Sequence, residues 1–141
     1  MPQGPAETLG TALDRLRAEA GAFAADPYLV TVTPDGRPHC GVVTVGWDGS
    51  EGRVLVRAPS GWEASAAAGH RQVTLLWPPD QPGGYSLIVD GLVEGAASAA
   101  VAPGADRMIA VAPRRAVLHR RGRATGPESA CGSDCVPILT R

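Results

Sequence analysis

The stretch YLVTVTPDGRPHCGVVTVGW, residues 28–47, decides the fold. Two runs rich in β-branched residues flank the Asp35-Gly36 pair, which is typical of a hairpin with a slightly long loop. The next residues, WDGSEG (47–52), predict a second turn, and RVLVRA (53–58) predicts a third strand. We therefore expect an antiparallel meander in this part of the chain.

The segments on either side extend this pattern. Upstream, apolar residues recur every three or four positions, which predicts an amphipathic helix; they are Leu9, Leu13, Leu16, Ala20 and Phe23. Downstream, GWEASAAAG (61–69) predicts one or two helical turns. Four further segments predict strands: RQVTLLW (71–77), YSLIVDGLVEGAAS (85–98), RMIAVA (107–112) and AVLHRR (116–121). Six or seven strands with tight connections predict a mainly β fold, a small antiparallel barrel with an N-terminal helix.

Length and composition limit the possible functions. The 141 residues fit one domain, with residues 1–8 and 122–141 expected as flexible tails. The net charge of −1 gives no electrostatic basis for binding nucleic acid or an anionic membrane. All 13 basic residues are arginine. An enzyme that holds pyridoxal phosphate as a lysine aldimine is therefore excluded.

The N-terminal sequence and the cysteines give two more expectations. No charged segment followed by an apolar run opens the chain, and no apolar stretch is long enough to span a bilayer, so we expect a cytoplasmic protein. Cys131 and Cys135 form a C-x₃-C pair, but a zinc site would need two more ligands. We expect no metal site; two free thiols, a disulfide or a redox pair remain open for these cysteines.

Three motifs carry a resemblance to a known family. PYLVTVTPDGRPHCGVVTVGWDG (27–49), VLVRAPS (54–60) and HRQVTLLWPP (70–79) follow one another as in the pyridoxamine 5′-phosphate oxidase-like family. Members of that family fold as FMN-binding split β-barrels. The resemblance covers residues 10–120 and implies a six- to seven-stranded split barrel. It also implies a homodimer that holds FMN at the subunit interface.

The resemblance also assigns cofactor-binding residues. It places Arg57 and Ser60 at the FMN phosphate and the backbone around Val43 and Thr44 along the flavin ring. Trp62 begins the predicted short helix where the cofactor's tail would pass. An arginine offers phosphate a bidentate fork, and a hydroxyl offers a neutral donor. The alternative is that Arg57 is a solvated strand residue and Ser60 only a helix cap.

The chain departs from the family at one point of this site. Family members commonly carry a lysine or arginine two or three residues after the hydroxyl, where this chain has Trp62 and Glu63. A carboxylate close to a phosphate is repulsive by about 1 to 4 kcal/mol at intermediate dielectric. Either Arg57 together with Arg71, or an arginine from the second subunit, compensates, or FMN binds weakly, or the barrel holds another ligand.

The two histidines with a candidate role are His39 and His119. His39 shares a strand face with Gly41 and Val43, so it can touch a cofactor or lie on the surface beside the turn. His119 can act as a proton donor, as a haem ligand like those in haem-binding relatives of this barrel, or as a polar residue at a strand end.

Three functions remain open. The first is a flavin-dependent oxidoreductase that uses FMN or the related deazaflavin on a small organic substrate. The second is a binding protein on the same barrel that has lost FMN and holds haem, another ligand or no cofactor. The third is an enzyme that uses the barrel pocket for acid–base chemistry, with Glu63, Asp90 and His119 as candidate catalytic residues.

Overall fold

The computed structural model describes residues 9–58, 69–94, 107–122 and 133–141. These residues form one helix and eight strands. Their bounds are α1 (Leu9–Gly21), β1 (Tyr28–Val32), β2 (Pro38–Val42), β3 (Val45–Asp48), β4 (Arg53–Ala58), β5 (Gln72–Trp77), β6 (Ser86–Glu94), β7 (Arg107–Arg121) and β8 (Ser133–Thr140). The prediction of a mainly β fold with an N-terminal helix is confirmed.

The sheet curls into an open barrel. Its strands pair antiparallel in the order β2-β1-β5-β6-β7-β4-β3, and β8 pairs with β7. The two ends of this path, β2 and β3, are consecutive in the chain and are joined by Val43 and Thr44 alone. Because an extended chain advances about 3.5 Å per residue, this link holds the two ends of the sheet within roughly 10 Å of each other. The curl agrees with the predicted split barrel.

One face of the curled sheet forms the core. Along β6, half-buried and buried side chains alternate without interruption, and β5 buries Val73, Leu75 and Trp77 in the same way. This two-residue period follows from the alternation of side chains across a strand. We call the opposite face, which is partly open to solvent, the outer face.

The helix α1 completes the core. Leu13, Leu16 and Ala20 are buried, and Phe23 packs against the same cluster, as the predicted apolar stripe requires. The helix packs against β8. Burial of a leucine side chain such as Leu16 contributes about 1.5 to 3 kcal/mol. Within the described ranges, no helix has both the length and the apolarity that crossing a membrane requires.

The predicted hairpin is confirmed. Strands β1 and β2 pair from Tyr28↔Val42 to Val32↔Pro38. In the turn between them, the Thr33 amide donates to the Arg37 carbonyl at 2.7 Å, and Gly36 has a φ of 87°. That backbone conformation is strained for residues with a Cβ, which explains the glycine.

Strand β7 has two neighbours along one edge. Its first part pairs with β4 from Arg107 to Val111, and its second part pairs with β8 from Arg115 to Arg121. Pro113 lies between the two pairings. Because proline has no amide hydrogen, it fits where the neighbouring strand changes. The segments RMIAVA and AVLHRR, expected as two pieces, are one strand.

Two other expectations are wrong. HCGVVTVGW, predicted as one strand, forms both β2 and β3. These two strands lie at opposite ends of the sheet path and do not pair, so the predicted meander of consecutive paired strands is interrupted between them. Residues 133–140, expected within a flexible tail, form β8. Of the predicted short helix at 61–69, all but Gly69 lies outside the described residues.

Candidate functional site at the barrel seam

The two ends of the sheet meet where the chain passes from β2 to β3. The Val43 amide donates to the Pro27 carbonyl at 3.0 Å, just before β1. The Arg57 amide of β4 donates to the Thr44 carbonyl at 3.1 Å. The link is thus bonded to both ends of the sheet. We call this region, residues 42–44 together with Arg57, the seam.

Arg57 presents a cation at the seam. Its side chain is exposed, and no described carboxylate forms an ion pair with it. Arg53, on the same face of β4, differs in this respect, since it contacts Glu94 at 2.5 Å. A guanidinium group without an acidic partner is available to an external oxyanion.

Exposed apolar side chains occur at the seam and opposite Arg57. The large hydrophobic residues that are exposed in the described part of the chain are Val42 at 62%, Met108 at 54% and Tyr28 at 38%. Val42 belongs to the seam and pairs with Tyr28, while Met108 lies opposite Arg57 on β7. Exposed apolar residues near a cation are typical of a surface that another molecule covers.

Three of the residues that the resemblance assigns to a cofactor lie together at the seam. The Arg57 amide is bonded to Thr44, which follows Val43 directly. The Val43 side chain is buried in the core, so its backbone is the part that can face a ligand. Ser60, Trp62 and Glu63 lie outside the described residues.

Three other predicted residues lie away from the seam. Arg71 precedes β5, which is three strand positions from β4. His39 is exposed on β2 opposite Thr31, four residues before Val43. His119 is half-buried between Ser86 and Cys135, at the other end of β7 from Met108. The structure does not place these three with Arg57.

A groove on the outer face was not predicted. It has a volume of about 650 Å³, and its lining includes Val30, Val32, Thr74, Asp90, Leu92, Arg114 and Arg141. We call it the outer groove. Asp90 accepts a hydrogen bond of 2.7 Å from the Thr74 hydroxyl and lies 3.4 Å from Arg115. Asp90 is therefore ion-paired. Its strand partner Arg115 is four residues before His119 on β7, so the structure does not favour an acid–base pair of Asp90 and His119.

A polar cluster attaches β8 to the start of β6. The Tyr85 hydroxyl donates to Asp134 at 2.8 Å, and Arg120 Nε donates to the same carboxylate oxygen at 2.9 Å. The hydrogen bond from Tyr85 and the charge of Arg120 lower the pKa of Asp134, and the same hydrogen bond raises the pKa of Tyr85. We call these three residues the β8 latch.

Metal binding has no support in the described ranges. No three His, Cys, Asp or Glu side chains gather there as a metal site requires. Cys40 and Cys135 are exposed and free, while Cys131 lies outside the described residues. The chemistry available at the seam is therefore that of one guanidinium group, strand backbone and apolar contact.

Comparison with known proteins gives close relatives. The chain is 39% identical over 118 residues to Uncharacterized protein Mb0449c of Mycobacterium bovis, covering 77% of this chain and 82% of that protein. The same values hold for Uncharacterized protein MT0457 of Mycobacterium tuberculosis. No family model matches the chain. The chain belongs to the family that contains these two mycobacterial proteins.

Proposed function

We propose that the protein is a cytoplasmic flavin-binding oxidoreductase of the pyridoxamine 5′-phosphate oxidase-like family. It holds FMN at the seam, between two copies of the chain, and acts on a small organic substrate. One observation supports this most: Arg57 and Thr44, which the resemblance assigns to the two ends of the cofactor, are bonded neighbours at the seam.

The described residues of the seam fit FMN. The cofactor has an anionic phosphate and a flat, largely apolar ring. Arg57 offers a guanidinium fork without an acidic partner among the described side chains, which suits phosphate. Val42 and Met108 offer exposed apolar surface, which suits a ring or a second subunit. The related deazaflavin is the alternative cofactor, because it also joins a flat ring to an anionic tail.

The protein's part in the reaction is binding and orientation. FMN, when bound, supplies hydride or electron transfer to an organic substrate. Arg57 would hold the phosphate, and the backbone at Val43 and Thr44 would position the ring. This backbone is itself held in place, because the Val43 amide donates to Pro27 and the Thr44 carbonyl accepts from the Arg57 amide. Val42 and Met108 offer the exposed apolar surface on which the second copy of the chain would pack.

The second candidate function is ligand binding without flavin, including haem binding. The sequence Trp62-Glu63 favours it, since the family commonly has a cation there. In the haem-binding form, His119 is the candidate ligand, because it is half-buried on β7 rather than fully exposed.

The test is a titration of FMN into the purified protein, followed by the fluorescence of the flavin. The variant Arg57→Ala should weaken FMN binding roughly 10- to 100-fold, the usual loss when a charged hydrogen-bonding group is removed. Arg37→Ala is the matched control, because Arg37 is an exposed arginine at the hairpin turn, paired with the exposed Asp35. Its affinity for FMN should equal that of the wild type.

Two results would overturn the proposal. One is a wild-type protein that does not take up FMN or deazaflavin. The other is Arg57→Ala with undiminished affinity for FMN. A Soret band on addition of haem, abolished in His119→Ala, would instead establish the second candidate.

A further inference from the structure

We propose that the outer groove is a second binding site, specific for a small organic oxyanion such as a carboxylate or a phosphate monoester. Arg114 and Arg141 bind the anionic group, and the strand side chains of β1 and β6 contact the organic part. This site goes beyond the flavin function proposed above and does not depend on it.

Two β-bulges bring the arginines together. Asp90 pairs with Arg115 and Gly91 with Pro113, so Arg114 is an extra residue on β7. Ala116 pairs with Leu139 and Val117 with Pro137, which makes Ile138 an extra residue on β8. Bulges turn side chains away from the regular alternation of a strand and are common beside functional sites.

The backbone fixes the relation between the two arginines. The Arg141 amide donates to the Arg114 carbonyl at 2.9 Å. The Arg141 guanidinium also lies 3.4 Å from the Pro113 carbonyl, which holds this side chain against β7. Both arginines line the outer groove. Two neighbouring guanidinium groups suit an oxyanion, which accepts several hydrogen bonds at once.

The charges in the groove favour an anion. Among the described residues of its lining, Asp90 is the acidic one, and Thr74 and Arg115 already bind that carboxylate. No described carboxylate pairs with Arg114 or Arg141. The pair Asp90–Arg115 is nearly neutral at a distance, which leaves the positive charges of Arg114 and Arg141 to attract the ligand.

The shape of the groove favours an organic ligand. Its volume of about 650 Å³ is far larger than an inorganic ion needs, and lies within the roughly 300 to 1,000 Å³ typical of small-molecule sites. Val30, Val32 and Leu92 give it an apolar wall beside the arginines. An anion with an apolar body can contact both parts, whereas inorganic phosphate contacts only one.

The outer groove is separate from the seam. Arg57 lies opposite Met108, and Arg114 is six residues further along β7. At about 3.3 Å per residue, this separation along the strand is roughly 20 Å. The outer groove and the seam are therefore treated as two sites with separate ligands.

The experiment is a titration of the ¹⁵N-labelled full chain, monitored by amide chemical shifts. The probes are phenyl phosphate and benzoate, with inorganic phosphate and the neutral phenol as comparisons. We expect saturable binding of at least one aromatic anion with a dissociation constant of about 1 mM or tighter. The shifts should concentrate at Thr74, Asp90 and Leu92. Inorganic phosphate and phenol should bind about tenfold more weakly.

Variants decide whether the arginines bind the anion. Arg114→Gln should weaken binding of the aromatic anion about tenfold. Arg121→Gln is the matched control, because Arg121 is an exposed arginine of the same strand that does not line the groove. Unchanged binding in Arg114→Gln, shifts that do not map to the groove, or no saturable binding of either aromatic anion would overturn the proposal. These results leave the FMN titration unaffected, so the two proposals fail independently.

Discussion

Gly91 is a residue of β6 at which the neighbouring strand β7 leaves no room for a side chain. A Cβ at this position would lie 2.6 Å from Val111 Cγ1 and 2.7 Å from the Ala112 carbonyl oxygen. Its φ is not positive, so the reason for glycine here is space rather than an unusual backbone conformation. Gly91 also pairs with Pro113, directly beside the bulge at Arg114. The bulge and the outer groove therefore depend on the absence of a side chain at this position.

Gly91→Ala should destabilise the protein. The added methyl group forces β6 away from β7, and such overpacking costs about 1 to 3 kcal/mol. Chemical denaturation at neutral pH measures the loss in the free energy of unfolding. Gly46→Ala is the control, because its Cβ would meet only Leu55 Cβ at 3.9 Å. Equal stability of Gly91→Ala and the wild type would show that the two strands do not approach as described.

The β8 latch makes attachment of this strand depend on pH. The pKa of Asp134 is lowered in the folded protein, first by the hydrogen bond from Tyr85. The latch therefore stabilises the fold fully above the ordinary Asp pKa of 3.8, and this contribution is lost as the pH falls through the folded pKa. The loss comes below about pH 4 because the folded value is the lower one.

Asp134→Asn should lower the stability at pH 7, and its difference from the wild type should be smaller at pH 3. The contribution of the wild-type carboxylate begins to fall below the ordinary Asp pKa of 3.8, so the two proteins become more alike as the pH decreases. Thermal unfolding of both proteins at the two pH values measures this difference. The pKa values of Asp35 and Asp48 are lowered as well. Both residues are present in each protein, so their contributions to the pH dependence of stability cancel in the comparison. A stability difference that is constant with pH would contradict the role of the latch.

Local patterns predicted most elements but not every boundary. The stripe from Leu13 to Phe23 indicated α1, and the alternation in 86–94 indicated β6, because both periods follow from burial of one face. The run GVVTV carries no mark of the change from β2 to β3, since the β-branched residues continue without a break from Val42 through the link to Val45. Strand β8 was missed because Pro137 is untypical of a strand, yet it is tolerated where β8 pairs with β7 alone among the described strands.

The candidate sites differ in how far the sequence could predict them. Arg57, Val43 and Thr44 were named through the family resemblance, and the hydrogen bond between Arg57 and Thr44 is consistent with it. The outer groove could not be predicted, because Arg114 and Arg141 meet only through two bulges. Extra residues of this kind have no signature in the hydrophobic pattern. The sequence does show the consecutive arginines of VAPRRAV. It does not show that Arg114 lines the outer groove while Arg115 pairs with Asp90.

The molecule as a whole combines a buried apolar core with an exposed apolar surface near the seam. The core buries its apolar residues on one face of the sheet, whereas Val42 of the seam, its strand partner Tyr28 and Met108, opposite Arg57, are exposed. A second copy of the chain would cover these residues and enclose the cofactor proposed for the seam. In this account, dimerisation and FMN binding use the same surface, so a change that separates the copies should also reduce the affinity for FMN.

The most direct test of this claim combines sedimentation equilibrium with FMN titration on the double variant Val42→Asp, Met108→Asp. Both side chains are exposed, so the variant should fold, and two carboxylates on the apolar surface should separate the copies. Gln81→Asp, an exposed change in the β5–β6 loop, is the control for added charge. We predict a wild-type and control dimer that binds FMN, and a folded monomeric double variant whose affinity for FMN is at least about tenfold lower. A wild-type chain that is monomeric at every concentration, or a monomeric double variant with full affinity for FMN, would contradict the account.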